Sequence, residues 1–250
     1  MEQRASRSTF VLVHGSFVSS WCWRDVVSEL QRRGHRAITL DLPAHGADRT
    51  PAERVTMSDY VDAVRRVVEA QASPPILVGH SIGGMICAGV AESAPTAVAA
   101  IVFVAGLLPP SGSAAMQAVT EFDPNYLAQV VWAPDRRTAW ISPEGVRDFP
   151  CALCPAAIVD EVVRRMTPEP VAPYEAPLVT SEARFGIVPR YYVETLRDRV
   201  VPLSMQRAIQ ARAGFRRVLS LDTDHFPALS APMDLAACLD AVAADVPELH

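Results

Sequence analysis

The feature that most constrains the fold is a serine held between two glycines after a short apolar run. Residues 76–78 (ILV) precede residues 79–83 (GHSIG), a G-x-S-x-G pattern, and helix-compatible residues 84–88 (GMICA) follow at once. This order predicts a strand, a sharp turn and a helix, with the Ser81 hydroxyl exposed at the tip of the turn. G-x-S-x-G alone also arises by chance, but the flanking strand and helix make it specific. The pattern therefore predicts a nucleophilic serine.

Strand and helix patterns alternate on both sides of this turn. Strands are predicted at residues 10–14, 36–42, 76–78, 98–105, 190–196 and 217–221. Thr56 and Asp59 form a capping-box pattern ahead of apolar residues at helical spacing. Such alternation predicts an α/β protein whose parallel sheet is covered by helices on both faces.

The alternation stops over residues 107–180, which hold 11 of the 21 prolines. Only short helices are predicted there, at residues 125–131 and 155–166, and no strand periodicity is visible. We therefore predict a helical cap over residues 107–180, inserted after the fourth strand and shaping a pocket at the strand ends. Residues 1–106 and 181–250 are the predicted core.

Composition argues against several classes of function. The net charge is −5 and no basic stripe is present, so no nucleic-acid partner is expected. The first ten residues (MEQRASRSTF) contain no apolar stretch, and the longest apolar run, residues 97–108, is shorter than the ~20 helical residues that cross a bilayer. We expect a cytoplasmic protein without a membrane partner. The five scattered cysteines argue against a disulfide framework, and the C-x-x-C at residues 151–154 lacks the second pair that a zinc site would need.

Three polar residues in separate loops suit nucleophilic catalysis. Functional groups of an open parallel sheet collect after the carboxyl ends of its strands. Asp198 follows the fifth predicted strand and His225 follows the sixth. A serine hydroxyl needs an imidazole to take its proton, and the imidazole needs a carboxylate to fix its tautomer. We therefore predict Ser81 as nucleophile, His225 as base and Asp198 as orienting acid, in the chain order expected for a serine on such a turn.

Other acids and histidines are weaker candidates for these roles. Asp222 and Asp224 are so close to His225 in sequence that we expect them to order its loop, and Glu194 lies within a predicted strand. His14 and His80 lie near the site and are expected to be pocket or structural residues. The expected bystanders are His35, His45 and His250.

Two backbone N–H groups are expected to stabilise an oxyanion. One belongs to Ile82, the residue after the nucleophile, and the other to the loop after the first strand. Ser16 is the first choice in that loop and Phe17 the next. Each such donor can contribute about 10²–10³ in rate.

Several stretches together resemble the plant methylesterase and hydroxynitrile lyase branch of the α/β-hydrolases. They are residues 10–23 (FVLVHGSFVSSWCW), 79–85 (GHSIGGM), 184–202 (RFGIVPRYYVETLRDRVVP) and 224–225 (DH). The resemblance implies an α/β-hydrolase fold with a six-stranded, mostly parallel sheet and a helical cap. It also implies a triad on Ser81, Asp198 and His225, and no cofactor. Members of this branch often pair, so both a monomer and a homodimer remain open.

Two positions distinguish the lyases from the esterases of that branch. The lyases carry a threonine directly after the first strand's histidine and a lysine directly after the catalytic histidine. This chain has Gly15 and Phe226 there. The chain is therefore more similar to the esterases, whose substrates are small carboxylic esters.

The leading hypothesis is a serine hydrolase that cleaves a small or medium carboxylic ester, with that small molecule as its partner. One alternative is a lyase, cyclase or thioesterase that uses the same triad on a natural-product intermediate. Another is a non-enzymatic ligand receptor, because fold alone does not determine function. The predicted pocket residues are Gly15, Phe17, His80, Trp132, Trp140 and Phe226.

Overall fold

The computed structural model describes residues 8–246. The strands within these residues are β1 Thr9–Val13, β2 Arg36–Thr39, β3 Ile76–His80, β4 Ala100–Val104, β5 Ser113–Ala114, β6 Val130–Trp132, β7 Thr138–Ile141, β8 Glu169–Pro170, β9 Pro177–Leu178, β10 Arg190–Thr195 and β11 Arg217–Leu221. The α-helices of the same region are α1 Arg24–Arg32, α2 Met57–Glu69, α3 Ile82–Ser93, α4 Ala115–Val119, α5 Pro124–Leu127, α6 Pro143–Asp148, α7 Ala156–Arg165, α8 Ala172–Glu175, α9 Leu203–Ala213, α10 Pro227–Ser230 and α11 Pro232–Asp245.

The main sheet has six parallel strands in the order β11-β10-β4-β3-β1-β2. Every residue of β3 and β4 is buried. Burial along the whole of a strand is typical of a parallel sheet covered on both faces, where continuous apolar runs replace alternation. The predicted parallel α/β architecture is therefore confirmed, although the second strand ends at Thr39, earlier than predicted.

The helices pack in pairs, α1 with α11 and α2 with α3. The capping box that begins α2 is present: the Asp59 backbone N–H donates to Thr56 Oγ1 over 3.3 Å, and the Thr56 N–H donates to Asp59 Oδ2 over 2.8 Å. No helix within residues 8–246 is both long enough and apolar enough to span a bilayer.

The segment of residues 107–180, which we call the cap segment, is not purely helical. Strands β6, β7 and β8 form a small antiparallel sheet, and β5 pairs with β9. The helix predicted over residues 125–131 ends at Leu127, and Val130 and Val131 belong to β6 instead. Val130 and Val131 are β-branched residues that favour strands, and they pair with β7 across a loop that local periodicity does not reveal.

Candidate active site

Ser81 occupies the turn between β3 and α3 in a strained backbone conformation. Its φ of 53° and ψ of −122° are unusual for a residue other than glycine. Such strain persists only where the surroundings hold it. Here the Ser81 N–H donates to the Val104 carbonyl over 3.1 Å, and the Ser81 carbonyl accepts from Gly84 and Leu107 over 3.0 and 2.8 Å. The turn is therefore fixed by hydrogen bonds on both sides of the serine.

Gly79 allows this turn because the chain passes very close to itself. A Cβ atom at residue 79 would lie 2.3 Å from the backbone oxygen of Gly83. Since that atom belongs to the backbone of α3, it cannot move aside as a flexible side chain can. The first glycine of the G-x-S-x-G pattern is thus required by close approach.

His225 and Asp198 are joined by a hydrogen bond. His225 Nδ1 lies 2.8 Å from Asp198 Oδ2, and because a carboxylate only accepts, Nδ1 carries the proton. Nε2 of a neutral His225 is then an acceptor, as a general base must be. The His225 side chain follows β11, and Asp198 follows β10.

Asp198 is held by four further donors. Oδ1 accepts from the backbone N–H groups of Val200 and Val201, each over 2.8 Å. Oδ2 accepts from Thr195 Oγ1 over 2.8 Å and from Gln206 Nε2 over 3.3 Å. Thr195 and Gln206 could not be predicted from the sequence, because no motif connects them with Asp198. They restrict the orientation of the carboxylate that contacts His225.

The two competing acids have other partners. Asp224 is fully buried and accepts from the Leu153 N–H over 2.7 Å and from Ser230 Oγ over 2.6 Å. Burial raises the pKa of the Asp224 carboxyl, despite these donors. Asp222 forms a surface ion pair with Arg197 over 2.8 Å. The Asp198 carboxylate, by contrast, reaches the His225 ring.

His80 supports His225 from behind. Its Nε2 lies 2.7 Å from the carbonyl oxygen of His225, so Nε2 donates, and the two ring centroids are 4.8 Å apart. Burial, and secondly the proximity of His225, hold the pKa of His80 well below its ordinary value. His80 is therefore neutral and places no positive charge beside His225. A Cβ atom at residue 15 would lie 2.6 Å from His80 Nδ1, which explains the glycine there.

His14 and His45 lie together beneath the loop that follows β1. Their ring centroids are 5.0 Å apart. His14 Nδ1 donates to the Gly15 carbonyl over 2.8 Å, and its Nε2 accepts from the Leu42 N–H over 3.1 Å. His14 is thus a neutral imidazole, and burial, with His45 second, lowers its pKa to about 3. It orders the loop and does not line the cavity at Ser81.

His35, an expected bystander, hydrogen-bonds Asp240 over 2.9 Å, whereas His250 lies outside the described residues.

The loop after β1 is anchored to the cap segment. Phe17 has a positive φ of 65°, and its N–H donates to Glu169 Oε2 over 2.9 Å. Ser16 Oγ is hydrogen-bonded to the Tyr174 hydroxyl. Phe17 therefore does not offer its N–H to an oxyanion, whereas the N–H groups of Ser16 and Ile82 donate to no other group within residues 8–246.

Ser81 and His225 line one cavity, which we call the reaction cavity. Ser16, Phe17 and Phe226 also line it, together with Phe122, Tyr126, Val146, Val162 and Tyr174 from the cap segment. A neighbouring aromatic cavity is lined by Phe17, Trp132 and Glu169 among others. Of the predicted pocket residues, Phe17, Trp132 and Phe226 line these cavities. Gly15, His80 and Trp140 line neither of these two cavities, and Trp140 is 37% exposed on β7.

The described residues hold no group of three histidine, cysteine or acidic side chains placed to bind a metal ion. The five cysteines are free thiols, and three of them are buried.

Comparison with known proteins defines the class. The model of the alpha/beta hydrolase family matches residues 10–237. A protein named Methylesterase 7 from Arabidopsis thaliana is 30% identical over 95% of this chain and 97% of its own length. A carbendazim hydrolyzing esterase from a Nocardioides species is 30% identical over 74% of this chain and 79% of its own. Tomato Methylketone Synthase I, solved with 2-tridecanone, superposes with a TM-score of 0.87 over 96% of this chain and 99% of its own, at 23% identity.

The chain belongs to the α/β-hydrolase family, in its plant methylesterase branch. The match covers nearly the whole length of Methylesterase 7, so it includes the cap segment as well as the core. The similarity to the tomato structure concerns the fold.

Proposed function

We propose that this chain hydrolyses small or medium carboxylic esters through an acyl-enzyme on Ser81. The observation that carries the proposal is the pairing of His225 with Asp198 beside the same cavity that Ser81 lines. The names of the two curated relatives, a methylesterase and an esterase, support an ester as substrate.

In the first half-reaction His225 Nε2 takes the proton of Ser81 Oγ as that oxygen attacks the ester carbonyl carbon. The negative charge moves to the carbonyl oxygen, where the N–H groups of Ser16 and Ile82 can donate to it. Asp198 stabilises the imidazolium through His225 Nδ1. The tetrahedral intermediate then breaks its bond to the alcohol, which leaves with the proton from His225 Nε2. Ser81 keeps the acyl group.

In the second half-reaction water attacks the acyl carbon and gives its proton to His225. Ser81 leaves with that proton, and the acid is released. Neutral His80 fits this cycle, because a second cation beside His225 would oppose the charge that the base gains.

Labelling with a fluorophosphonate tests the nucleophile. We expect a single adduct on the Ser81 peptide, together with hydrolysis of p-nitrophenyl acetate that Ser81→Ala abolishes. The matched control is Ser204→Ala on the exposed start of α9, which should retain both properties. Absence of an adduct at Ser81, or equal hydrolysis by Ser81→Ala, would contradict the proposal.

A further inference from the structure

The aromatic cavity adjoins the reaction cavity. Phe17, Phe122, Tyr126 and Tyr174 line both of them. A group bound in the aromatic cavity can therefore belong to the same molecule whose ester carbonyl reaches Ser81. The lining of the aromatic cavity is almost entirely apolar or aromatic, and its one carboxylate is Glu169.

The two oxygens of Glu169 differ in their surroundings. Oε2 accepts from the Phe17 N–H over 2.9 Å and from His45 Nε2 over 3.1 Å. Oε1 is buried and has no hydrogen-bond partner among residues 8–246. Only 4% of the residue is exposed. A buried carboxylate oxygen without a donor is costly, so this oxygen marks a place where a donor is favoured.

The charge of Glu169 is already compensated. His45 Nδ1 lies 3.0 Å from the Pro43 carbonyl and Nε2 lies 3.1 Å from the carboxylate, so both ring nitrogens donate and the ring is an imidazolium. Burial alone would lower the pKa of His45, but the Glu169 carboxylate, the Pro43 carbonyl and Asp41 together outweigh it, and the pKa is raised. Oε1 therefore lacks a hydrogen-bond donor and does not lack a counter-charge.

We infer that Glu169 is a specificity-determining residue whose Oε1 accepts a hydrogen bond from an uncharged hydroxyl or N–H on the acyl group of the ester. The inference rests on the proposed function and names its substrate class: esters whose acyl group is aromatic or similarly apolar and ends in a donor. An anionic group is disfavoured by the carboxylate. A cationic group on the substrate is disfavoured too, because Glu169 is already paired with His45 and the rest of the cavity wall is apolar.

Tyr60 offers the competing explanation of this oxygen. Its buried hydroxyl also has no partner among the described residues, and its pKa is raised well above the ordinary value by burial and then by Glu169. If Glu169 Oε1 served only to accept from Tyr60 after a small shift, Glu169 would affect stability and not the choice of substrate. The test therefore measures a ratio between two substrates.

The substrates are methyl 3-(4-hydroxyphenyl)propanoate and methyl 3-(4-methylphenyl)propanoate. They are similar in size, but only the first carries a hydroxyl that can donate a hydrogen bond. The wild type should prefer the hydroxyl ester by about 10- to 100-fold in kcat/KM, the range for one hydrogen bond to a charged acceptor. Glu169→Gln should reduce this preference to below about threefold. Its amide oxygen must face the Phe17 and His45 donors, which leaves an NH₂ group where Oε1 was.

The matched control is Glu175→Gln, an exposed residue of the cap segment, which should keep the wild-type preference. Glu169 also holds Phe17 beside the proposed oxyanion site, so Glu169→Gln can lower kcat for both esters. An equal loss for both esters with the preference retained would assign Glu169 a purely structural role. A wild-type preference near one would also overturn the inference.

Binding separates this inference from the proposed function. Calorimetry on Ser81→Ala measures the Kd of each ester without turnover. Tighter binding of the hydroxyl ester, lost in Ser81→Ala with Glu169→Gln, supports the recognition site even if the wild type hydrolyses neither ester. Equal binding refutes the recognition site, while hydrolysis of both esters would leave the proposed function intact.

Discussion

Replacing Asp198 by asparagine should lower the turnover number steeply and leave the fold intact. Asp198 Oδ1 accepts from two backbone N–H groups, those of Val200 and Val201, each at 2.8 Å. Backbone donors cannot rotate away, so the amide oxygen of the variant must take the Oδ1 position. The NH₂ group then takes the Oδ2 position and faces His225 Nδ1. This forces Nδ1 to become the acceptor and moves the proton to Nε2.

A His225 that carries its proton on Nε2 cannot accept the proton of Ser81. The same substitution in serine proteases costs about 10⁴-fold in turnover, equivalent to about 5.5 kcal/mol of barrier. We expect a loss of that order here, because the geometry dictates the same wrong tautomer. The assay is kcat for p-nitrophenyl acetate hydrolysis, with thermal unfolding measured beside it to establish that the fold is retained.

Asp222→Asn is the matched control, since the Asp222 carboxylate pairs with Arg197 at the surface and does not contact His225. Its turnover should stay near that of the wild type. Asp198→Asn with more than about a tenth of wild-type turnover would refute the tautomer argument. A larger loss in Asp224→Asn than in Asp198→Asn, with the fold intact, would show that Asp198 is not the orienting acid.

Three further predictions concern the pH dependence of stability at His14, the close approach at Gly79 and the type of reaction. The pKa of about 3 for folded His14 lies below its ordinary 6.5, so its contribution to stability is complete above pH 6.5 and is lost as the pH falls toward 3. Between about pH 8 and pH 5 the free energy of unfolding of the wild type should fall by about 2 kcal/mol more than that of His14→Gln, as measured by urea titration. An equal fall in the two proteins would contradict this. Gly79→Ala should lower the free energy of unfolding by about 3 kcal/mol or more, because its Cβ would lie 2.3 Å from a backbone oxygen. In the control Gly186→Ala the new Cβ contacts the side chain of Glu182, which can move aside. Equal unfolding midpoints for the two variants would contradict the requirement for glycine at residue 79. The protein should release no cyanide from mandelonitrile above the Ser81→Ala blank, because Gly15 and Phe226 offer neither a hydroxyl nor a fixed positive charge; cyanide release without ester turnover would show a lyase.

Local sequence determined the elements that depend on neighbouring residues. The turn at Ser81 could be predicted because the conformation of a tight strand-to-helix turn depends on glycines within a few positions. The capping box at Thr56 and the six parallel strands were predictable for the same reason, since periodicity and caps are local signals. Chain order added Asp198 and His225 as proposals, because parallel strands bring their carboxyl ends to one edge.

Only the tertiary structure decided how distant segments meet. Glu169 contacts Phe17 from 152 positions away, and Tyr174 contacts Ser16 across 158. The short cap strands form by pairing with one another, so Val130 and Val131 joined a sheet where their periodicity predicted a helix. Of the three nearby carboxylates, it is the one of Asp198 that contacts His225, which the sequence alone does not show. Hydrogen bonds between remote side chains leave no periodic pattern in a single sequence. The residues of the cap segment that line the reaction cavity could therefore be identified only from the tertiary structure.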